Sequence, residues 1–331
     1  MQIEENVLLS SLTTFKTGGP ARFVITASNS KEVSESFQFA KEKGLYVIPL
    51  GGGSNMLAKD EGVDAVFLKY ADTTIDATDG IITAGAGAVW DDVASIAAER
   101  GWWGVENLAR IPGTVGGAVL QNIGAYGAAL GDTLVSVEAY DSESGTVRTF
   151  LREECALGYR TSLFKQSLDR YYILQATLKL SKAAIPNVGY KDLAARFAGT
   201  TPALPDVRAA VAEIRSHKFP NLTEYGCAGS FFLNPIMDEM NAARVQERYP
   251  SMPLFSLPEG GVKVPLGWFL DHQLRLRGVR DGNVEAWRDQ ALVLVAHTGA
   301  ASSEVVAFAK KIIARVQNEI GIKISPEVRI L

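Results

Sequence analysis

Residues 112–127 read PGTVGGAVLQNIGAYG and carry Gly113, Gly116, Gly117, Gly124 and Gly127 within sixteen positions. These glycines sit among small apolar residues, with one polar step at Gln121-Asn122. Glycine inside a helix costs ~1 kcal/mol relative to alanine, so a run this rich in it argues against a plain helix or strand. Its physical use is close approach: without a Cβ, backbone N–H groups can face a ligand directly. Tight turns are the plainer explanation, but five glycines exceed what one turn requires. A second cluster, Gly51-Gly52-Gly53-Ser54-Asn55, points to a long ligand touched at more than one place.

At 331 residues the chain has room for two or three domains with cores of their own. Its 47% hydrophobic and 21% charged content is ordinary for a soluble globular protein. A formal net charge of −4 argues against nucleic acid or an anionic membrane as partner. The opening MQIEENVLLSSL is acidic and lacks the basic start and apolar centre of a signal peptide. The longest apolar run, residues 291–296, is far short of the ~20 residues that span a bilayer. Two cysteines, Cys155 and Cys227, are too few for a disulfide framework. The expectation is a cytoplasmic monomer with no membrane or nucleic-acid partner.

Around the glycine clusters the chain alternates short strands and helices. Residues 23–27 read as a strand, and 29–43 as a helix with Asn29 and Glu32 as cap and Val33, Phe37 and Ala40 on one face. Gly44 ends it, and strand 46–50 runs into loop 51–55, a βαβ unit with a glycine turn at the strand's carboxyl end. Strands follow at 63–68 and 81–84, a helix at 90–100, a hairpin from 134–140 and 146–150, and a strand at 171–180. Residues 202–217 read as a helix, and the break at Lys218–Pro220 as a domain boundary. Beyond it come a helix at 237–248, an apolar stretch at 266–271, a buried strand at 291–296 and a helix at 303–318. The alternation of Ile322, Ile324, Val328 and Ile330 against Lys323, Ser325, Glu327 and Arg329 predicts a final strand over 322–330.

The standard glycine fingerprints are missing. Gly85-x-Gly87 and Gly51-x-Gly53 both lack the third glycine of a dinucleotide motif, and Gly-Lys, needed for a P-loop, does not occur. The histidines His217, His272 and His297 are too scattered for a zinc motif, and no metal is expected. There is no G-x-S-x-G elbow.

Longer segments are more specific. In order they are Thr14-Phe15-Lys16-Thr17-Gly18-Gly19, Leu50 to Asn55, Ala84-Gly85-Ala86-Gly87, Glu106-Asn107-Leu108, Ile111 to Gly117 and Gln121 to Gly127. Then come Gly158-Tyr159-Arg160-x-Ser162, Ala228-Gly229-Ser230-Phe231-Phe232-x-Asn234-Pro235 and Pro326-Glu327-Val328-Arg329. Together they resemble the UDP-N-acetylenolpyruvoylglucosamine reductase (UDP-N-acetylmuramate dehydrogenase, MurB) family along nearly the whole chain. Tyr190-Lys191-Asp192-Leu193 resembles the tyrosine-bearing insertion of its longer branch. Leu233 stands where that family commonly has lysine and Ala296 where asparagine is frequent, and LRLRGVR at 274–280 is more basic than the resemblance leads one to expect.

The resemblance implies an α+β protein: a two-part FAD-binding domain of the vanillyl-alcohol-oxidase/PCMH type and a C-terminal α+β substrate domain. Residues 1–67 with the tail 321–331 would form the first part, 68–217 the second, and 218–320 the substrate domain. It implies FAD and NADPH as cofactors and UDP-N-acetylglucosamine enolpyruvate as substrate, whose enolpyruvyl ether is reduced to a lactyl ether. Arg160 would stabilise the enolate, Ser230 would supply the proton, and Glu327 would stabilise or relay around it. The plainer alternatives are a surface ion pair for Arg160, a cap or turn for Ser230 and solvent exposure for Glu327. FAD would lie on Gly51, Gly52, Gly53, Ser54 and Asn55, on Pro112, Gly113, Thr114, Gly116 and Gly117, and on Asn122, Gly124, Ala125 and Tyr126. Tyr159, Tyr190, Lys218, Asn234, Lys263 and Gln290 would contact substrate. An oxidase of the same flavin fold and a non-catalytic nucleotide-sugar sensor remain as alternatives. The joint presence of the Arg160, Ser230 and Glu327 segments disfavours the oxidase.

Overall fold

The strand and helix that precede the first glycine loop form where the sequence predicts them. In the computed structural model, which describes residues 1–257 and 260–331, Pro20–Ala27 is a strand and Ser30–Glu42 a helix. Asn29 Oδ1 accepts the Glu32 N–H at 3.0 Å, and the Glu32 carboxylate reaches back to the Ser28 N–H at 2.8 Å. Donors left open at the helix start are thereby satisfied. The next strand, Val47–Pro49, does not lie beside Pro20–Ala27. The sheet order is Gln2–Leu8, Pro20–Ala27, Val63–Tyr70, Val47–Pro49. Val63, Ala65, Val66, Phe67 and Leu68 are all buried, and a strand so apolar on both faces belongs inside a sheet. Val47–Pro49 pairs with it in parallel, Val47 against Val66.

Contacts group the chain into two units. The first comprises Met1–Val7, Ala21–Gly53 and Asp64–Ser216. Besides the sheet above it holds an antiparallel sheet in the order Thr146–Leu151, Leu134–Asp141, Tyr171–Lys179, Ile81–Gly85, Ile75–Thr78. The expected hairpin is its first pair. Helix Trp90–Glu99 buries Trp90, Val93, Ala94 and Ala97 against this sheet's apolar face. On the other side, Tyr172 donates its hydroxyl to the Leu68 carbonyl at 2.9 Å, which ties the two sheets together, and Tyr140 bonds Ser34 of helix Ser30–Glu42 at 2.9 Å.

The second unit comprises Leu8–Pro20, Ser54–Val63 and His217–Leu331. Its main sheet is antiparallel, in the order Gly226–Ser230, Val293–Ala296, Val284–Ala286, Arg280–Asp281. Helix Ser302–Ile320 buries Val305, Phe308, Ala309, Ile312 and Val316 in a cluster with Phe269, Leu270 and Leu294.

The break expected at Lys218–Pro220 lies next to the boundary at Ser216 and His217. The expected three-part division differs from this grouping: 68–216 shares a unit with 21–53, and 321–331 falls with 217–320. The glycine tract is not all loop, since Val115–Gln121 forms a seven-residue helix. The helix expected at 237–248 starts later, at Glu239, because Asp238 caps it and Ile236–Met237 is a strand. The final strand is shorter than predicted. Only Arg329–Ile330 pairs as a strand, alongside Met56–Leu57, while Pro326, without an N–H to donate, makes a single bridge to Phe232.

Candidate active site

In the first unit the two glycine loops press against each other. A Cβ on Gly51 would lie 2.6 Å from Thr114 Oγ1, and one on Gly52 would lie 2.9 Å from Gly113 Cα. A Cβ on Gly116 would come within 2.9 Å of the Ala86 Cβ. These glycines are therefore required by loop-on-loop packing, and what they present is backbone. Among the described residues, no protein acceptor takes the N–H groups of Gly51, Gly52 or Gly53. Thr114 caps the short helix through the Gly117 N–H at 3.4 Å. Pro112 leads into Gly113, which adopts φ +121°.

Ser54 and Asn55 group with the second unit. There Asn55 Nδ2 donates to the Glu327 carbonyl at 3.2 Å, and the Asn55 carbonyl accepts the Arg329 N–H at 3.0 Å. The Asn55 amide thus positions the segment that carries Glu327.

The far end of the tract builds a seat for Arg160. Asn122, at φ +40°, ends the helix; its Nδ2 donates to the Gly158 carbonyl at 2.8 Å and its Oδ1 accepts the Gly131 N–H at 3.0 Å. Both ends of its side chain are bonded to protein. Gly158 and Thr161 exchange backbone hydrogen bonds at 3.1 and 3.3 Å, closing a turn with Tyr159 and Arg160 at its tip. Arg160 has φ +56°, and its Nη2 donates to the Gly124 carbonyl at 2.6 Å. A Cβ on Gly124 would lie 3.0 Å from Arg160 Nη1, so the glycine makes room for the guanidinium. Tyr159 is exposed, with the guanidinium carbon 5.7 Å from its ring centre.

Ala125 pairs with Ala128, and Tyr126 follows at φ +50° with its ring buried. Burial pushes its hydroxyl up to about 12, against the opposing pull of Arg215, so it is a donor at neutral pH. The half-exposed Tyr190 ring meets it edge-on at 5.4 Å.

In the second unit Ser230 ends a strand that a bulge has re-aimed. Cys227 pairs with Val295 but Ser230 with Val293, so one extra residue lies between them. Gly229 supplies it at φ +74°, a conformation an L side chain resists. The next carbonyl, that of Phe231, accepts the Glu327 N–H at 2.8 Å. Ser230 and Glu327 are thus brought onto neighbouring backbone. The opening Thr14-Phe15 segment supports the same strand: Thr14 exchanges bonds with Cys227 at 2.9 and 2.6 Å. A Cβ on Gly226 would lie 1.9 Å from the Phe15 carbonyl oxygen.

The expected substrate contacts are spread through the second unit, apart from Tyr159 and Tyr190. Lys218 is the last residue of helix Leu204–Lys218. Asn234 Oδ1 accepts the Leu266 N–H at 3.0 Å, and Lys263 sits 5.7 Å from the Phe255 ring centre. Gln290 lies in the turn between strands Val284–Ala286 and Val293–Ala296. Ala296 is buried opposite Gly226, where a small side chain fits. In the basic block, Arg277 bonds Asp271 at 2.6 Å and Arg280 bonds the Gly282 carbonyl at 2.8 Å.

The sequence model of an FAD binding domain matches residues 21–150, and that of the UDP-N-acetylenolpyruvoylglucosamine reductase C-terminal domain matches residues 221–331. The reductase of that name from Pseudomonas aeruginosa is 37% identical, over 99% of this chain and 98% of its own length. The chain belongs to the UDP-N-acetylenolpyruvoylglucosamine reductase family. A family member from Amoebophilus asiaticus is 34% identical over the full length of both chains. The crystal structure of the Thermus caldophilus reductase matches with a TM-score of 0.72 and 25% identity, covering 100% of this chain and 99% of that one.

As a member of this reductase family the chain is an FAD-dependent oxidoreductase of peptidoglycan precursor synthesis, with NADPH as hydride donor. Its α+β fold is the two-part flavin-binding architecture with a C-terminal domain. The first unit fits the cofactor: the unclaimed N–H groups of Gly51, Gly52 and Gly53 suit a pyrophosphate. Lys165, which bonds the Arg160 carbonyl, carries no expectation from the sequence, although it lies three positions after Ser162, the end of the Gly158 to Ser162 segment.

Proposed function

We propose that this chain reduces the enolpyruvyl ether of UDP-N-acetylglucosamine enolpyruvate to the lactyl ether of UDP-N-acetylmuramate, with Arg160, Ser230 and Glu327 as its catalytic residues. When bound, FAD, reduced by NADPH, supplies the hydride that goes to the terminal carbon of the enolpyruvyl double bond. The electron pair of that double bond moves to the adjacent carbon and into the carboxylate. Arg160 meets this charge with a permanent cation whose fork matches a carboxylate. Ser230 then gives its hydroxyl proton to the adjacent carbon and regains one from solvent. A carboxyl stabilises an enolate only as the protonated acid, so Glu327 acts as hydrogen-bond donor and relay.

The observation that supports these roles is specialised backbone at two of the three residues. Arg160 holds a left-handed turn, and Ser230 follows a bulge at a glycine of positive φ. Such conformations persist where surrounding structure enforces them, and they concentrate at functional sites. The plain alternatives, a surface ion pair and an ordinary turn, need neither. We place FAD on the 51–55 and 112–117 loops and the 122–126 segment, and the uridine diphosphate on Tyr159, Tyr190, Lys218, Asn234, Lys263 and Gln290. We place the reaction in the cytoplasm, carried out by a monomer without membrane or nucleic-acid partner. Supporting this, no helix among the described residues is long and apolar enough to cross a membrane, and the net charge is −4.

The test is product analysis. Incubation with NADPH and UDP-N-acetylglucosamine enolpyruvate in heavy water should yield the lactyl ether with one solvent deuterium on the carbon beside the carboxylate. Unchanged enolpyruvyl ether with NADPH consumed and oxygen reduced would favour the oxidase. Tight binding of the nucleotide sugar with no turnover would favour the sensor.

A further inference from the structure

Lys165 has no part in the chemistry above. It lies in the one-turn helix Leu163–Gln166, capped by the fully buried Ser162. Its ammonium donates to the carbonyl oxygen of Arg160 at 2.8 Å and to Gln121 Oε1 at 2.7 Å. Ser162 ties the same segment to the Leu120 carbonyl at 2.8 Å, and Asn122 ties the other side of the turn at Gly158. The Arg160 turn is thus gripped from the end of helix Val115–Gln121. Lys165 grips the peptide of Arg160 itself. That residue's φ of +56° is one an L side chain adopts at a cost, so its carbonyl direction needs holding. A charge-assisted bond is roughly twice as strong as a neutral one.

We propose that Lys165 is a positioning residue for the reduction: it fixes the peptide of Arg160 and so aims the guanidinium, without touching substrate. The proposal rests on the reading of Arg160 as the group that stabilises the enolate. Misplacement of a catalytic group by about 1 Å can cost roughly 100-fold in rate.

The test uses the full-length, FAD-loaded enzyme in anaerobic single-turnover stopped flow, which separates flavin bleaching by NADPH from colour recovery by substrate. Lys165→Met is placed in the wild type and in Arg160→Ala. Bleaching should stay within about twofold of its parent in both, and the melting temperature within about 3 °C. Recovery should slow by roughly 10- to 100-fold in the wild-type background. In Arg160→Ala it should slow by less than about twofold, because no guanidinium remains to aim. Equal slowing in both backgrounds, or none in either, overturns the proposal while leaving Arg160 in its role. Recovery of Arg160→Ala at the wild-type rate overturns the reading of Arg160 and Lys165 with it. If Lys165→Met folds poorly, Lys165→Gln, which keeps a neutral donor, takes its place in the same two backgrounds.

Discussion

Arg160 sits in a backbone region that costs an L residue of order 1–3 kcal/mol, and its guanidinium is already bonded to the Gly124 carbonyl. The chain therefore spends stability to present one cation in one direction. Arg160→Lys keeps the charge but loses the fork, and should slow substrate-driven flavin recovery by about 10²–10³-fold with NADPH-driven bleaching unaltered. A slowing below about threefold would mean that the fork does not matter. Gly226→Ala tests a purely structural residue. Its Cβ would lie 1.9 Å from the Phe15 carbonyl oxygen, backbone against backbone. Relief requires opening the Thr14–Cys227 pair, so urea unfolding should show a loss of roughly 3 kcal/mol. At this scale Arg160, Ser230 and Glu327 were legible as candidates, because arginine, serine and glutamate within long motifs carry their chemistry in their names. Their supports were not. Lys165 and the paired bonds of Asn122 depend on which carbonyls come within reach after folding.

Helix Ser302–Ile320 shows why elements are easier to read than their ends. Its apolar register, Val305, Phe308, Ile312 and Val316, is plain in the sequence and buried in the fold. Its cap is not: Asp60, far away in the chain, accepts the Ser302 and Ser303 N–H groups at 2.7 and 2.9 Å. Burial alone pushes the Asp60 carboxyl up, but these donors outweigh it and hold it below its usual value of 3.8. A depressed carboxylate contributes stability that is present above the unfolded value and lost as pH falls through the folded one. Asp60→Ala should therefore cost about 1 kcal/mol at pH 7, with the gap to wild type closing as pH falls from 3.8 through the depressed folded value. Denaturant midpoints across pH measure it, and a gap independent of pH would remove the carboxylate from this role. The final strand is shorter than its alternation for a related reason. Alternation over 322–330 is real, yet Pro326 interrupts the ladder and limits pairing to Arg329–Ile330.

At the scale of the whole molecule, strand order required knowledge that alternation does not carry. The apolar run at 63–70 reads as a strand, but its place between Pro20–Ala27 and Val47–Pro49 follows from burial on both faces. The glycine tract reads clearly as a close-approach site, while its inner helix was hidden by the same glycines. Gly51→Ala, with its Cβ 2.6 Å from Thr114 Oγ1, should disturb the loop pair and release flavin. The purified variant should hold less FAD, and added FAD should raise its melting temperature less than it raises that of wild type. Equal flavin content would separate this loop from the cofactor. The most direct test of the central claim is Ser230→Ala in anaerobic stopped flow. Bleaching by NADPH should proceed at the wild-type rate, and recovery by UDP-N-acetylglucosamine enolpyruvate should slow by about 10²–10⁴-fold. Recovery at the wild-type rate, or equal loss in both halves, would contradict it.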